Sequence, residues 1–278
     1  MAQPAEQRLT WEERDVPVGD RRIHLRRAAG DGPPLLLLHG LGVSGAVWQA
    51  LARRLFPTWS PIAPDLPGHG ESDPAGPGPP GAPGGPGGYT PEALADAVGG
   101  LLDALGIERI PVVGHSLGAL VALALAVYHP QRVTGVVLLD PPLDSQRRNP
   151  DVAEVYRLRK APSGALEDYL ARTSGSPLAA RALAPIYRAA QDGAFEAHLQ
   201  AQPGAPWAWA EAPHITAPVL LVQADPALDG VLGDEAAEGF VTRLPRGRLL
   251  QIAGARHAVH ASHAADVARV TLDFLASS

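Results

Sequence analysis

The 278-residue chain contains no cysteine, which excludes disulfides, a thiolate nucleophile and thiolate metal sites. It has no long basic block, and its 29 acidic residues outnumber 23 Lys and Arg for a formal net charge of −6. Nucleic acid and anionic membrane are therefore poor partners. The longest apolar run, Ala119 to Val127, falls far short of the roughly 20 residues of a membrane span. Met1 to Asp15 is polar and acidic where a signal peptide would carry an apolar core. Together these absences suggest a cytoplasmic protein. What is present, 46% apolar residues, can fill one large α/β core with room for an inserted subdomain.

The chain is organised around residues 110 to 127. A short β-branched run, Ile110 to Val113, stops at Gly114, and an Ala/Leu segment of good helix formers follows. Between them lies Gly114-His115-Ser116-Leu117-Gly118. In this Gly-x-Ser-x-Gly pattern a serine occupies a cramped strand-to-helix turn, with glycines where side chains would collide with backbone. The pattern recurs by chance, so its partners must decide it.

Upstream, Val16 to Ala28 around Gly19-Asp20 reads as an opening hairpin, with Arg21, Arg22, Arg26 and Arg27 on a solvated face. Leu35 to His39 reads as a strand buried on both faces, followed by Gly40-Leu41-Gly42-Val43-Ser44-Gly45 and a helix. Gly40, Gly42 and Gly45, with Asp65 some 20 residues on, also match a dinucleotide-binding fingerprint. That makes an oxidoreductase the rival reading. Residues 74–88 are entirely Pro, Gly and Ala and predict a mobile surface loop. Thr90 is placed to cap a helix opening at Pro91.

The strand ending in His39-Gly40, the Asp65-Leu66-Pro67-Gly68-His69-Gly70-Glu71-Ser72 loop and the Gly114–Gly118 turn together resemble the α/β-hydrolase family. The resemblance extends over about 35–140 and 218–275. It implies an α/β fold: a mostly parallel central sheet flanked by helices, built from residues 1–140 and 214–278, with residues 141–213 as an inserted helical cap. Pro162, Gly164, Pro177, Pro185 and Pro203 interrupt helical stretches there. Tyr156, Tyr169, Phe195, Trp207 and Trp209 either line a pocket or bury the cap, and Trp48 reads as core.

By the same resemblance Ser116 is the nucleophile. His257, in Gly254-Ala255-Arg256-His257 after the last strand, is the base. The Leu41 and Leu117 N–H groups form the oxyanion hole, supported by His39, Gly40, Gly114 and Gly118; His39 and His69 are structural. For the acid, the family places an aspartate before proline beyond the strand opening at Pro218, which selects Asp225-Pro226. Asp140, ending the preceding strand, is the alternative, and Asp234 reads as a helix cap. Zinc held by His257, His260 and His263 is disfavoured, because Gly254 and Ser262 break that segment as a helix face.

The expected chemistry is hydrolysis of a carboxylic ester through an acyl-enzyme on Ser116, with a small-molecule acyl substrate and with no cofactor and no metal. Alternatives are lactone, amide, perhydrolysis or carbon–carbon bond hydrolysis, and a slow-turnover ligand sensor.

Overall fold

The computed structural model describes residues 8–76, 88–147, 151–162, 164–174 and 176–277. Most of the Pro/Gly/Ala run, residues 77–87, lies outside them. In chain order the elements are β1 (Trp11–Val18), β2 (Arg21–Ala28), β3 (Pro34–Leu38), α1 (Gln49–Leu55), β4 (Ser60–Pro64), α2 (Pro91–Ala104), β5 (Ile110–His115), α3 (Leu117–Tyr128) and β6 (Val133–Leu139). There follow α4 (Asp151–Leu158), α5 (Ala165–Ser174), α6 (Pro177–Ala189), α7 (Asp192–Gln200), α8 (Pro206–Glu211), β7 (Val219–Gln223), α9 (Asp234–Val241), β8 (Gly247–Gln251), α10 (Val259–Ser262) and α11 (Ala264–Ala276).

The strands form one eight-stranded sheet in the order β1-β2-β4-β3-β5-β6-β7-β8. β1 and β2 pair antiparallel, β2 joins β4 antiparallel, and the remaining pairs are parallel. Alternation along each strand feeds two cores. Leu36, Leu38 and Val112 pack with α2, α3 and α9 on one face, while Leu35, Leu37 and Val113 pack with α1, α10 and α11 on the other. Trp48 is fully buried in the second. No helix among the described residues is long and apolar enough to cross a membrane.

Two local predictions change. Asp234 is not a cap: Gly233 holds that position, and Asp234 is the first residue of α9, its Oδ1 accepting from Gln223 Nε2 at 2.8 Å. The final helix does not start at Ser262, because residues 259–262 form the short α10 and His263 breaks the path before α11. Thr90 does cap α2, accepting from Ala93 N at 3.3 Å.

Helices α4 to α7 leave the sheet after β6 and share a core of their own, built on Leu158, Leu166, Leu170, Ala184 and Phe195. This cluster rests on the β3–α1 loop. A Cβ added at Gly42, whose φ is +76°, would meet Tyr187 and Phe195 at 2.7 Å. Further along, Gln191 N donates to Gly68 O at 2.8 Å.

Candidate active site

β3, β5, β6 and β7 run parallel, so their C-terminal ends share one edge of the sheet, where ligand crevices form in such folds. At that edge Ser116 follows β5 directly, with φ +52° and ψ −115°. This backbone geometry is costly for a residue with a Cβ and points the side chain away from the strand. Packing enforces it. A Cβ on Gly118 would collide with the Leu38 carbonyl and one on Gly114 with the Gly118 carbonyl, so the helix can enter this close only with glycine at both positions. Ser116 N donates to Leu139 O at 3.1 Å, tying the turn to β6. Leu117 opens α3, so its N–H belongs to the helix turn that has no internal acceptor.

On the far side of the turn, Gly40 approaches so closely that an added Cβ would meet Ser116 Cβ at 3.4 Å and His115 Nδ1 at 3.0 Å. Leu41 follows, half-buried and packed against both the main core and the α4–α7 cluster. His39 fixes this loop: its Nδ1–H donates to Gly40 O at 2.8 Å, and its Nε2 accepts from Leu66 N at 2.9 Å. Both bonds need the neutral ring, and burial pushes its pKa down to about 4. His69 packs edge-on against it at 5.1 Å and is pushed down to about 3, chiefly by burial. Both histidines are thus held in buried contacts with the loop backbone and with each other.

His257 Nδ1 donates to Asp140 Oδ2 at 2.7 Å. Asp140, the alternative acid in the sequence, is thus the aspartate that bonds the His257 ring, and the preferred Asp225 does not reach it. Asp140 is fully buried at the end of β6, with φ +44°, and also accepts from Val231 N at 3.0 Å and Ala224 N at 3.4 Å. Asp225 faces elsewhere: Oδ1 accepts from Ala227 N at 2.9 Å and Oδ2 from Gly254 N at 2.8 Å. Its carboxylate closes the turn that carries His257, and these bonds, that of Gly254 first, hold its pKa below the usual value. Asp229 completes the support, accepting from His257 N at 2.8 Å.

The histidine loop is fixed to the serine turn through His115, whose Nε2–H donates to His257 O at 3.0 Å and whose ring lies 4.7 Å from that of His257. His260 does not join His257 and His263 in a metal-binding group; its ring packs between Trp48 and His115 at 4.7 and 4.4 Å. Burial pushes it down to about 3. The dinucleotide fingerprint is also absorbed structurally. Asp65 is buried and accepts from Gly45 N at 2.7 Å and Glu71 N at 2.9 Å, leaving no carboxylate oxygen facing a ribose.

Beside Leu117 lies a small cavity of about 70 Å³, lined by His69, Tyr89, Leu94, Leu120, Ala194 and His198 among others. Such a volume is far below the roughly 300–1,000 Å³ of drug-sized ligand sites. The five aromatic residues singled out in 141–213 do not line it. Phe195 stacks on Tyr156 at 5.4 Å, and Trp209 meets Phe240 edge-on at 5.3 Å while donating from Nε1 to Leu143 O at 3.0 Å. Tyr89 and His198, which line it instead, carried no motif in the sequence. Burial lowers the pKa of His198, and the proximity of His257 lowers it further.

A family model described as alpha/beta hydrolase fold matches residues 33–264. The chain therefore belongs to the α/β-hydrolase fold family, a class of hydrolytic enzymes. A pimeloyl-[acyl-carrier protein] methyl ester esterase of Aromatoleum aromaticum is 33% identical over 256 residues, covering 85% of this chain and 95% of that one. An uncharacterised protein of Mycobacterium tuberculosis is 38% identical over 138 residues, covering 50% of this chain and only 36% of its own length. The chain thus spans about a third of that relative. Among solved structures, the 2-hydroxy-6-oxo-6-phenylhexa-2,4-dienoate hydrolase of Rhodococcus sp. strain RHA1 shares the fold, with a TM-score of 0.77 at 20% identity over 95% of this chain and 98% of that one.

Proposed function

We propose that the protein is a serine hydrolase that cleaves small carboxylic esters, with Ser116, His257 and Asp140 as its triad. The observation that carries this reading is the 2.7 Å bond between His257 Nδ1 and Asp140, which fixes the imidazole with Nδ1 protonated and leaves the Nε2 lone pair as the base. Ser116 Oγ attacks the ester carbonyl as its proton passes to Nε2. The oxyanion forms against the Leu41 and Leu117 N–H groups, each worth about 3 kcal/mol of barrier. The proton then passes from Nε2 to the departing alkoxide, leaving an acyl group on Oγ. Water, deprotonated by Nε2, attacks that acyl group, and the acid departs as Oγ regains its proton.

Helices α4 to α7 act as a cap over this centre, supported by their separate core and their contact with the Gly42 loop. The cavity beside Leu117 receives the short arm of the substrate. A cytoplasmic, water-borne substrate pool fits the formal net charge of −6.

The test is hydrolysis of p-nitrophenyl acetate and butyrate by wild type, Ser116→Ala and His257→Ala, with a serine-directed phosphonate label mapped by mass spectrometry. Turnover by wild type, its fall by several orders of magnitude in both variants and a label on Ser116 are expected. A folded wild type that neither turns over nor takes the label overturns the assignment and favours ligand sensing.

A further inference from the structure

Away from the catalytic edge, the β1–β2 hairpin gathers a second set of polar groups. The register sets Asp15 opposite His24 and Glu13 opposite Arg26, so all four side chains occupy one face of the hairpin. His24 is only 6% exposed, and its backbone is held on both sides: its N–H donates to Ser72 Oγ at 2.9 Å and its carbonyl accepts from Asp65 N at 2.8 Å. Its Nδ1 lies 2.9 Å from Asp15 Oδ1, where it donates to the carboxylate. The opposite nitrogen, Nε2, is buried without a hydrogen-bond partner. Glu13 Oε2 stands 3.9 Å from it, too far for a bond.

We propose that this face binds a divalent transition-metal ion of the zinc type through His24 Nε2, Glu13 and Glu71. One ligand atom from each of the three residues lies within 4.8 Å of the others, a grouping found nowhere else among the described residues. Bonds of about 2.0–2.2 Å to a tetrahedral ion require ligand atoms roughly 3.3–3.6 Å apart. The two glutamates are exposed and can close that gap by side-chain rotation, whereas the histidine is already fixed. A carboxylate behind the far nitrogen of a ligating imidazole sets its tautomer and raises its basicity, which is the position of Asp15. Arg26 Nε holds Glu13 Oε1 at 2.8 Å and leaves Oε2 for the ion. Water takes the fourth position.

The charges nearby are Glu13, Asp15, Glu71 and Asp73 against Arg22 and Arg26. The balance favours a cation. An imidazole ligand selects zinc over magnesium and calcium, which prefer all-oxygen shells. Glu71 follows Gly70 in the loop whose Asp65 also holds Gly45 N, so the ion would join the hairpin to the support of the β3–α1 loop.

The experiment uses full-length, tag-free protein stripped with chelator and titrated with zinc chloride at pH 7.5, followed by calorimetry and thermal melting. One site of micromolar or tighter Kd and a zinc-dependent rise in Tm are expected, with magnesium inert at the same concentration. His24→Gln and Glu71→Gln should each weaken binding at least tenfold, while His257→Ala binds as wild type. If His24→Gln loses its fold, Glu71→Gln and Glu13→Gln decide, since both side chains are exposed. Absence of a site tighter than 100 µM overturns the proposal. So does binding that survives Glu71→Gln and Glu13→Gln, or is lost in His257→Ala.

Discussion

Asp140 and His257 lie 117 residues apart in the chain and 2.7 Å apart in space. Of the aspartates near the histidine loop, only Asp140 reaches the ring; Asp225 and Asp229 take its backbone. Asp140→Asn should therefore lower kcat for p-nitrophenyl acetate by about 10³–10⁴, the cost of losing the correct tautomer. Asp225→Asn should leave kcat within tenfold while lowering Tm, because a turn-closing acceptor is weakened. Equal kcat losses in the two variants would return Asp225 to the triad.

The buried imidazoles set a pH dependence of stability. His39, His69 and His260 are pushed down to about 4, 3 and 3 by burial. Between those values and the ordinary value of 6.5 the unfolded chain binds protons that the folded chain refuses, so stability falls as pH falls. The contribution is complete above pH 6.5 and drains away down to pH 3–4. Each histidine adds a slope of about 1.4 kcal/mol per pH unit within its window. In urea unfolding between pH 7 and 5, His260→Phe should show a shallower slope than wild type. An unchanged slope would show that His260 protonates freely in the fold.

The cavity beside Leu117 predicts chain-length selectivity. Ala194 is buried on its wall, and Ala194→Leu adds three carbons to a space of about 70 Å³. Butyrate ester hydrolysis should lose about tenfold or more in kcat/KM relative to acetate, a difference of roughly 1.4 kcal/mol. Parallel loss on both esters would place the acyl chain elsewhere.

The close approach of α3 to β3 makes Gly118 intolerant of a single methyl. In Gly118→Ala the new Cβ meets Leu38 and His39 backbone, which cannot rotate away. A loss of about 3 kcal/mol is expected, read as a Tm lower by roughly 6–10 °C. A variant melting with wild type would show that the helix can back away from the strand.

Strands β3, β5 and β7 were legible because each is a short apolar run punctuated by Gly, Pro or Asp, and the run from Leu35 to His39 overlaps β3. The serine turn was legible for a related reason: steric necessity forces glycine at 114 and 118, and necessity leaves a pattern. The acid was not. Asp225-Pro226 satisfies the local rule, yet its carboxylate is drawn to Gly254 and Ala227, while the left-handed turn at Asp140 aims that side chain at His257. Nothing local to Asp140 records this, since the choice depends on where the β7–α9 loop presents Val231. Tyr89 and His198 were hidden likewise, being placed by helix packing rather than by motif. The grouping of Glu13, His24 and Glu71 draws on three separate stretches joined only by strand register and one loop.

Ser116 sits at a φ of +52°, a conformation that any side chain with a Cβ resists and glycine does not. If Ser116 is the nucleophile proposed above, the chain keeps that hydroxyl at the expense of its own robustness. Ser116→Gly should be inert toward esters yet melt at a higher temperature than wild type, whereas Ser116→Ala, which retains the Cβ, should gain little. On this account backbone strain and the proposed chemistry fall on the same residue.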